Sequence, residues 1–295
     1  MKPAPFEYYV PDSIEEAIAL LRDHGSDAKL LAGGQSLVPA MNFRVVQPSA
    51  LIDLNRVKEL DYVREEENCV RIGAMTRERT LEFEPLISKR FPLLAEAMPH
   101  VAHPQIRNRG TLGGSLANAD PAAELPVIML ALGARLNARS VDSERWVEAS
   151  SFFSGMFMTD LAEGEMLVEI ELPSSPLRTG WSFLEVAPRA GDYALMGIAA
   201  LVTLDENKVC TQAKLVYLNA GDGPVEGKES AQLLEGETLN DELIDSAAAL
   251  ASGQEINPFG NIHASVEYQR HLANVLTRKA LKTAGKRAAG EENLQ

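Results

Sequence analysis

Two pairs of adjacent glycines, each beside a hydroxyl side chain, constrain this chain more than any other feature. They stand in Ala32-Gly33-Gly34-Gln35-Ser36 and in Thr111-Leu112-Gly113-Gly114-Ser115. Lacking a Cβ, glycine reaches backbone conformations closed to other residues and lets other groups approach its main chain. Consecutive N–H groups in such turns form anion-binding nests, to which Ser36, Thr111 and Ser115 add hydroxyl donors. A single Gly-Gly pair reads as a tight turn. Two of like design suit the two phosphates of a dinucleotide pyrophosphate, and spacing alone leaves the turn and the nest evenly matched.

The usual nucleotide fingerprints are missing. No G-x-G-x-x-G follows a strand, so the dinucleotide-binding βαβ signature is absent. The run Gly221 to Glu229 imitates a P-loop, but its glycine spacing is wrong and Glu229 stands where Ser or Thr is required, so it reads as a loop. Charge excludes more: 28 basic against 42 acidic residues leave a net charge of −14, which argues against a nucleic-acid surface. Such a balance remains compatible with a protein partner that presents a basic patch. With only Cys69 and Cys210, the 295-residue chain cannot by itself hold an iron–sulfur cluster, which takes about four thiolates. The N-terminus lacks the apolar core of a signal peptide, and no apolar run approaches the ~18 residues of a membrane span. A reduced, cytoplasmic setting is expected.

The hydrophobic pattern gives the organisation. Tyr8–Val10 is β-prone; Asp12 or Ser13 caps a helix carrying Ile14, Ala17, Ile18 and Leu21 on one face, with a stop at His24-Gly25. Strands are expected at 29–32, running into Gly33-Gly34, and at 51–54 and 70–72. A helical segment opens at Thr76–Arg79, another covers Phe91–Ala102 until Pro104, and Leu125–Leu132 reads as a buried helical turn. Met166–Leu172 alternates acidic and apolar residues as a half-exposed strand does. The Pro173-Ser174-Ser175-Pro176 cluster marks a boundary. Beyond it come strands at 181–186, 197–204 and 214–218, then helices over 239–251 and 262–281, with Arg278, Lys279 and Lys282 at the negative end of the last. The whole is an α+β layout with a frayed tail after Gly290.

Three motifs in order resemble the FAD-binding medium subunit of molybdenum hydroxylases, the xanthine dehydrogenase and aerobic carbon monoxide dehydrogenase family. They are the first glycine pair in its Ala32–Ser36 context, the second with its trailing Asn118-Ala119-Asp120-Pro121-Ala122-Ala123-Glu124, and Arg189-Ala190-Gly191-Asp192-Tyr193-Ala194. The resemblance spans residues 3–285. It implies a two-subdomain FAD-binding fold of the vanillyl-alcohol-oxidase/PCMH type over 1–175, with subdomains of about 1–58 and 59–175. A smaller C-terminal α+β domain of the CO dehydrogenase flavoprotein type follows over 176–288, then a 289–295 tail.

Carried over by motif position, Lys29, Leu30, Leu31, Ala32, Gly33, Gly34, Gln35 and Ser36 would contact FAD, as would Thr111, Leu112, Gly113, Gly114 and Ser115. Glu124 falls where the family has an acid near the ribityl or ribose hydroxyls; otherwise it is an exposed helix-cap acid. Leu167 falls at the adenine end, where an ordinary strand core residue would equally be buried. Val101 and Glu185 occupy further cofactor-lining positions, Glu185 departing from the Lys sometimes found there. Tyr193 matches a residue covering one isoalloxazine face; otherwise it is a half-buried strand tyrosine.

The resemblance further implies an electron-transfer subunit, with [2Fe-2S] clusters on a small partner subunit, the molybdenum cofactor on a large one, and a dimer of heterotrimers. No catalytic acid or base and no metal site is assigned to this chain. His100 and His103 lack a third ligand and read as loop residues. Arg107-Asn108-Arg109 reads either as a solvated loop or as a reach toward phosphate or a partner's carboxylates. The competing readings are a self-sufficient PCMH-type flavin oxidase or dehydrogenase, which would turn over substrate without partners, and a flavin-free scaffold subunit, which would be colourless.

Overall fold

The computed structural model describes residues 1–291, so the end of the tail expected to fray lies outside the described residues. The first unit comprises β1 (Glu7–Tyr9), α1 (Ile14–His24), β2 (Ala28–Leu31), α2 (Leu37–Asn42) and β3 (Ala50–Asp53). Its sheet is parallel with β3 central, so β1 and β2 need a crossover, and α1 supplies it. Ser13 caps α1 by accepting from the Glu16 amide, and Ala17, Ile18 and Leu21 are its buried face.

The second unit opens with β4 (Val63–Glu65), β5 (Cys69–Gly73) and the short helices α3 (Glu78–Phe83), α4 (Pro85–Arg90), α5 (Pro92–Ala97) and α6 (Pro104–Arg107). It continues through α7 (Leu112–Asn118), α8 (Glu124–Ala131), β6 (Arg135–Arg139), β7 (Glu144–Glu148), α9 (Ala149–Phe152), the hairpin β8 (Phe153–Gly155) and β9 (Met158–Thr159), and β10 (Met166–Pro173). The main sheet is antiparallel in the order β4-β5-β10-β6-β7. The single helix expected over 91–102 is instead α5 followed by a 3₁₀ turn at Met98–His100. Pro99 has no N–H to continue the α-helical ladder.

Strand β10 also departs from expectation. It is central and largely buried rather than half exposed. Its acidic residues are drawn into ion pairs: Arg71 lies 3.3 Å from Glu169 and 3.4 Å from Glu171, and Arg135 also holds Glu171. Both guanidinium groups lie against the Trp146 ring. A bulge between Leu167 and Glu169 turns the Val168 carbonyl toward the Ala74 amide at 3.0 Å.

The third unit places β11 (Thr179–Val186), β12 (Met196–Leu204), β13 (Cys210–Leu218) and β14 (Val225–Glu226) in one antiparallel sheet, with α10 (Lys228–Leu234), α11 (Asp241–Leu250) and α12 (Val266–Ala288). The two-residue period of its strands divides the sheet between two cores. Phe183, Ala199, Val216 and Leu218 join the core of the second unit, while Ile198, Ala200, Val202, Leu215 and Tyr217 pack with α12.

Two expectations change here. The glycine-rich run at 221–229 is not wholly loop, since it contains β14 and the start of α10, whose first amides at Glu229 and Ser230 donate to the Glu255 carboxylate at 2.7 and 3.1 Å. Helix α12 runs past the expected end, so Arg278 and Lys282 lie mid-helix and pair with Asp245 and Asp241 of α11, while Lys286 and Arg287 hold the last turn. Among the described residues no helix is long and apolar enough to cross a membrane.

Helix α12 approaches β11 most closely at Gly180, where an added Cβ would lie 1.9 Å from the Ala284 carbonyl oxygen. Gly180→Ala must push the helix off the sheet. The expected loss is about 3 kcal/mol of stability, read from the urea unfolding midpoint.

Candidate functional site

A cleft of about 900 Å³ runs between the β2–α2 loop of the first unit and the α3, α7 and α8 segments of the second. Leu167 of β10 lines it too, and at its mouth Gly191, Asp192 and Tyr193 of the third unit's β11–β12 loop join the wall. Both glycine pairs belong to this cleft, and they touch each other. A Cβ on Gly33 would lie 2.4 Å from the Arg109 carbonyl oxygen and 2.7 Å from the Gly110 Cα. One on Gly113 would lie 2.6 Å from the Ala74 Cβ, and one on Gly114 2.7 Å from Thr111 Oγ1 and 3.3 Å from the Ala32 Cβ. The glycines are required first because main chain packs on main chain.

The two loops differ in what they do with their amides. In the second, the Leu112 N–H donates to the Thr76 carbonyl at 3.0 Å and Gly113 to Ala74 at 2.8 Å, while Gly114 and Ser115 donate to the Thr111 side chain and carbonyl. This segment is the capped first turn of α7, and its amides are committed to the fold. In the first loop the amides of Gly33, Gly34, Gln35 and Ser36 make no hydrogen bond within the described chain. Gly34 sits at φ +73°, a left-handed conformation suited to glycine, and Gln35 folds its side-chain amide onto the Gly33 carbonyl at 3.1 Å. The pair of similar nests therefore reduces to one loop with free amides and one helix start that supports it.

A polar brace behind the loops sets their spacing. Asn55 donates to the Ala32 carbonyl at 3.0 Å and accepts from Arg77 Nη2 at 2.5 Å, while Arg77 Nη1 donates to the Arg109 carbonyl. Asp53 holds Asn55, and the Tyr8 hydroxyl donates to Asp53. Neither Asn55 nor Arg77 was singled out from the sequence. Single polar residues in turns carry no periodic signal, and only the fold brings them to the glycine loops.

The cleft wall carries two buried acids. Glu124, in the first turn of α8, is 8% exposed, and burial pushes its carboxyl up to about 8, with Glu185 adding to the effect. Its reading as an exposed helix-cap acid is thereby overturned. Glu78, at the start of α3, is 6% exposed; burial pushes it up to about 7, partly offset by Arg107 and Arg77. Its Oε2 is buried without a hydrogen-bond partner. Glu185 lies behind the wall, 3.2 Å from His100 Nδ1, and this hydrogen bond holds the imidazole above its usual range.

Of the residues singled out from the sequence, the cleft is lined by Lys29, Leu30, Ala32 to Ser36, Val101, Thr111, Gly113, Gly114, Ser115, Glu124, Leu167 and Tyr193. Leu31 and Leu112 are not in its wall; Leu112 is buried in the core of the second unit. Tyr193 is in a loop and 69% exposed, not a half-buried strand residue. Arg107 is no solvated arginine: it is 5% exposed, pairs with Glu82 at 2.9 and 3.0 Å, and donates to the Val101 and Ala102 carbonyls. Asn108 and Arg109 are exposed. His103 packs under Gly191, far from a shared ligand role with His100, and no cluster of metal-ligating side chains occurs among the described residues. Phe157 and Asp120 also line the mouth.

Residues 4–175 match the FAD binding domain in molybdopterin dehydrogenase, and residues 181–284 the CO dehydrogenase flavoprotein C-terminal domain. The chain is 43% identical to the 6-hydroxypseudooxynicotine dehydrogenase complex subunit alpha of Paenarthrobacter nicotinovorans, covering 98% of this chain and 97% of that one. It superposes on a chain of carbon monoxide dehydrogenase from Hydrogenophaga pseudoflava with a TM-score of 0.94 at 38% identity, covering 97% and 99% of the two chains. A chain of quinoline 2-oxidoreductase from Pseudomonas putida 86 matches with a TM-score of 0.92 at 36% identity, over 99% of each.

The buried acids carry a pH signature. A carboxyl whose folded pKa is raised binds its proton more tightly than in the unfolded chain, so its contribution weakens folding as pH rises between the two values. For Glu124 that window runs from 4.5 to about 8. The flavin-free chain should lose stability across it, and Glu124→Gln should be more stable than wild type at pH 8 by roughly 2–4 kcal/mol while differing little at pH 4.5. Urea unfolding at both pH values checks this, and an equal loss in both proteins would remove Glu124 as its source.

Proposed function

The chain belongs to the FAD-binding family of molybdopterin dehydrogenases, and we propose that it works there as an electron-transfer subunit without substrate chemistry of its own. In this reading it takes electrons from [2Fe-2S] clusters of a small partner subunit. It passes them to an external acceptor, and substrate is oxidised at a molybdenum cofactor on a large partner subunit. A dimer of such heterotrimers in the cytoplasm is the proposed assembly. The relatives' names point to oxidation of carbon monoxide, quinoline or a nicotine derivative, so they favour no single substrate, and substrate choice is assigned to the large subunit.

One observation carries the reading: four free amides at Gly33 to Ser36 stand at the junction of two loops, in the wall of a cleft of about 900 Å³. That volume is within the range of cofactor sites. Consecutive free N–H groups suit a pyrophosphate, with the Thr111 and Ser115 hydroxyls as further donors from the opposite loop. Glu124 is placed to accept from ribityl or ribose hydroxyls, Val101 and Leu167 to pack on apolar ring surface, and Tyr193 to cover the flavin ring at the mouth. Bound there, FAD supplies a carrier able to join two-electron and one-electron chemistry. The protein's part is to hold it, exclude water along the buried wall, and leave one end reachable at the mouth. The division at 175/176 separates the domains that hold FAD from the domain whose loop closes the mouth. Glu185, bonded to His100 behind the wall, is not assigned a contact with FAD.

The self-sufficient oxidase reading would need polarising side chains around a substrate space beside the flavin. The buried acids Glu78 and Glu124 belong to the cleft lining itself, which favours the partner-dependent reading.

The purified chain should show flavin absorption bands, and Gly33→Val should lose them, because its side chain must displace the Arg109–Gly110 main chain. A Gly33→Val protein that kept its yellow colour would remove the loop from the site. The isolated chain should not turn over substrate with an artificial acceptor unless the iron–sulfur and molybdenum subunits are added.

A further inference from the structure

One buried group in the cleft has no role in the reading above. Glu78 is 6% exposed and lines the cleft, and none of its side-chain oxygens has a hydrogen-bond partner within the described chain. It sits at the loop junction. The place a Cβ would take on Gly110 is 2.2 to 2.7 Å from its carboxyl atoms, and Gly110 is the residue Gly33 packs against. Only the Glu78 backbone is fixed there, its amide donating to the Gly110 carbonyl at 3.0 Å. The carboxyl thus lies one residue from the free amides of the first loop.

The charges around it do not neutralise it. On its own helix, Arg77 is committed to Asn55 and the Arg109 carbonyl, and Glu82 to Arg107. From α6, Arg107 is satisfied by Glu82 and two carbonyls. From α4, Arg90 pairs with Glu65 and Lys89 is exposed. From the 3₁₀ turn, His100 bonds Glu185; Glu124 of α8 is a second buried acid in the lining that feels Glu78. An ionised Glu78 beside a pyrophosphate would put like charges together in a poorly hydrated wall, where repulsion is strong. A neutral Glu78 removes that repulsion and turns an orphan oxygen into an O–H donor.

We infer that Glu78 is the proton-holding residue of the pyrophosphate cradle: binding FAD draws one proton from solvent onto its carboxyl. The inference rests on the cleft being the FAD site. Burial already pushes Glu78 up to about 7, so uptake should be small at pH 6 and approach one proton above pH 8. By linkage, affinity should fall about tenfold for each pH unit above that point.

The test is calorimetric titration of FAD into the full-length chain stripped of flavin, from pH 6 to 9, in buffers of differing ionisation enthalpy. The wild type should take up about one proton at pH 8.5, with affinity falling about tenfold between pH 8 and 9. Glu78→Gln should show neither the proton uptake nor the loss of affinity above pH 6. The wild-type proton count stands even if a variant folds poorly. Binding with no proton uptake at any pH would overturn the role of Glu78 while leaving the cleft as the FAD site, as would a dependence that survives Glu78→Gln and vanishes in Glu124→Gln. Absence of FAD binding at every pH would instead overturn the cleft reading itself.

Discussion

The contact on which the cleft depends is one of main chain on main chain. Gly33 of the first unit lies against Arg109 and Gly110 of the second at a separation that leaves no room for a methyl group. Everything that makes the cleft follows from that approach. It brings the free amides of residues 33–36 beside the capped start of α7, and it stacks Glu78 beneath Gly110. The brace from Tyr8 through Asp53, Asn55 and Arg77 to the Arg109 carbonyl then holds the distance. Asp53 is the buried link of this chain, and the more exposed Tyr8, Asn55 and Arg77 are each held by a hydrogen bond to the next member.

The sequence made the glycine loops conspicuous for a reason that is only half of the physical one. Adjacent glycines beside hydroxyls read as two equivalent anion nests, because the amide count is what a sequence displays. Which amides are already occupied depends on long-range partners. The Thr76 and Ala74 carbonyls that take up the Leu112 and Gly113 amides come from a segment more than thirty positions earlier. The same limit explains β10, whose acid–apolar alternation is the mark of a half-wet strand until Arg71, Arg135 and Trp146 from neighbouring strands cover its charges. It explains Arg107 too, since the carboxylate that buries it, Glu82, belongs to another helix. Local signals fared better. The cap at Asp12 or Ser13, the α1 face and the strands of the third unit needed only short-range signals.

Electrostatics give the cleft two kinds of polar group. The net charge of −14 has its counterpart at the cleft, where Glu78 and Glu124 are buried in the lining and Glu185 lies behind it. Acids in such a wall are tolerated because they are not all charged: burial raises Glu78 and Glu124, and Glu185 has His100. The free amides of the first loop carry partial positive charge instead. The cleft thus combines free backbone donors with protonatable acceptors in one polar lining. A ligand with a diphosphate and a row of hydroxyls fits that polarity better than an apolar one does.

The third unit completes this arrangement at the mouth. Its β11–β12 loop crosses onto the second unit, where Gly191, at φ +84°, lies so close over the His103 ring that a Cβ would sit 2.3 Å from Nδ1. That seat carries Tyr193 to the cleft, with the Asp120 carboxylate facing its hydroxyl. The loop junction is therefore built by the first two units, and the mouth by the second and third. Because the sheet behind this loop shares its core with α5 and α8, the mouth cannot shift without disturbing packing that is buried on both sides. One glycine over one imidazole thus ties the loop that carries Tyr193 to the second unit.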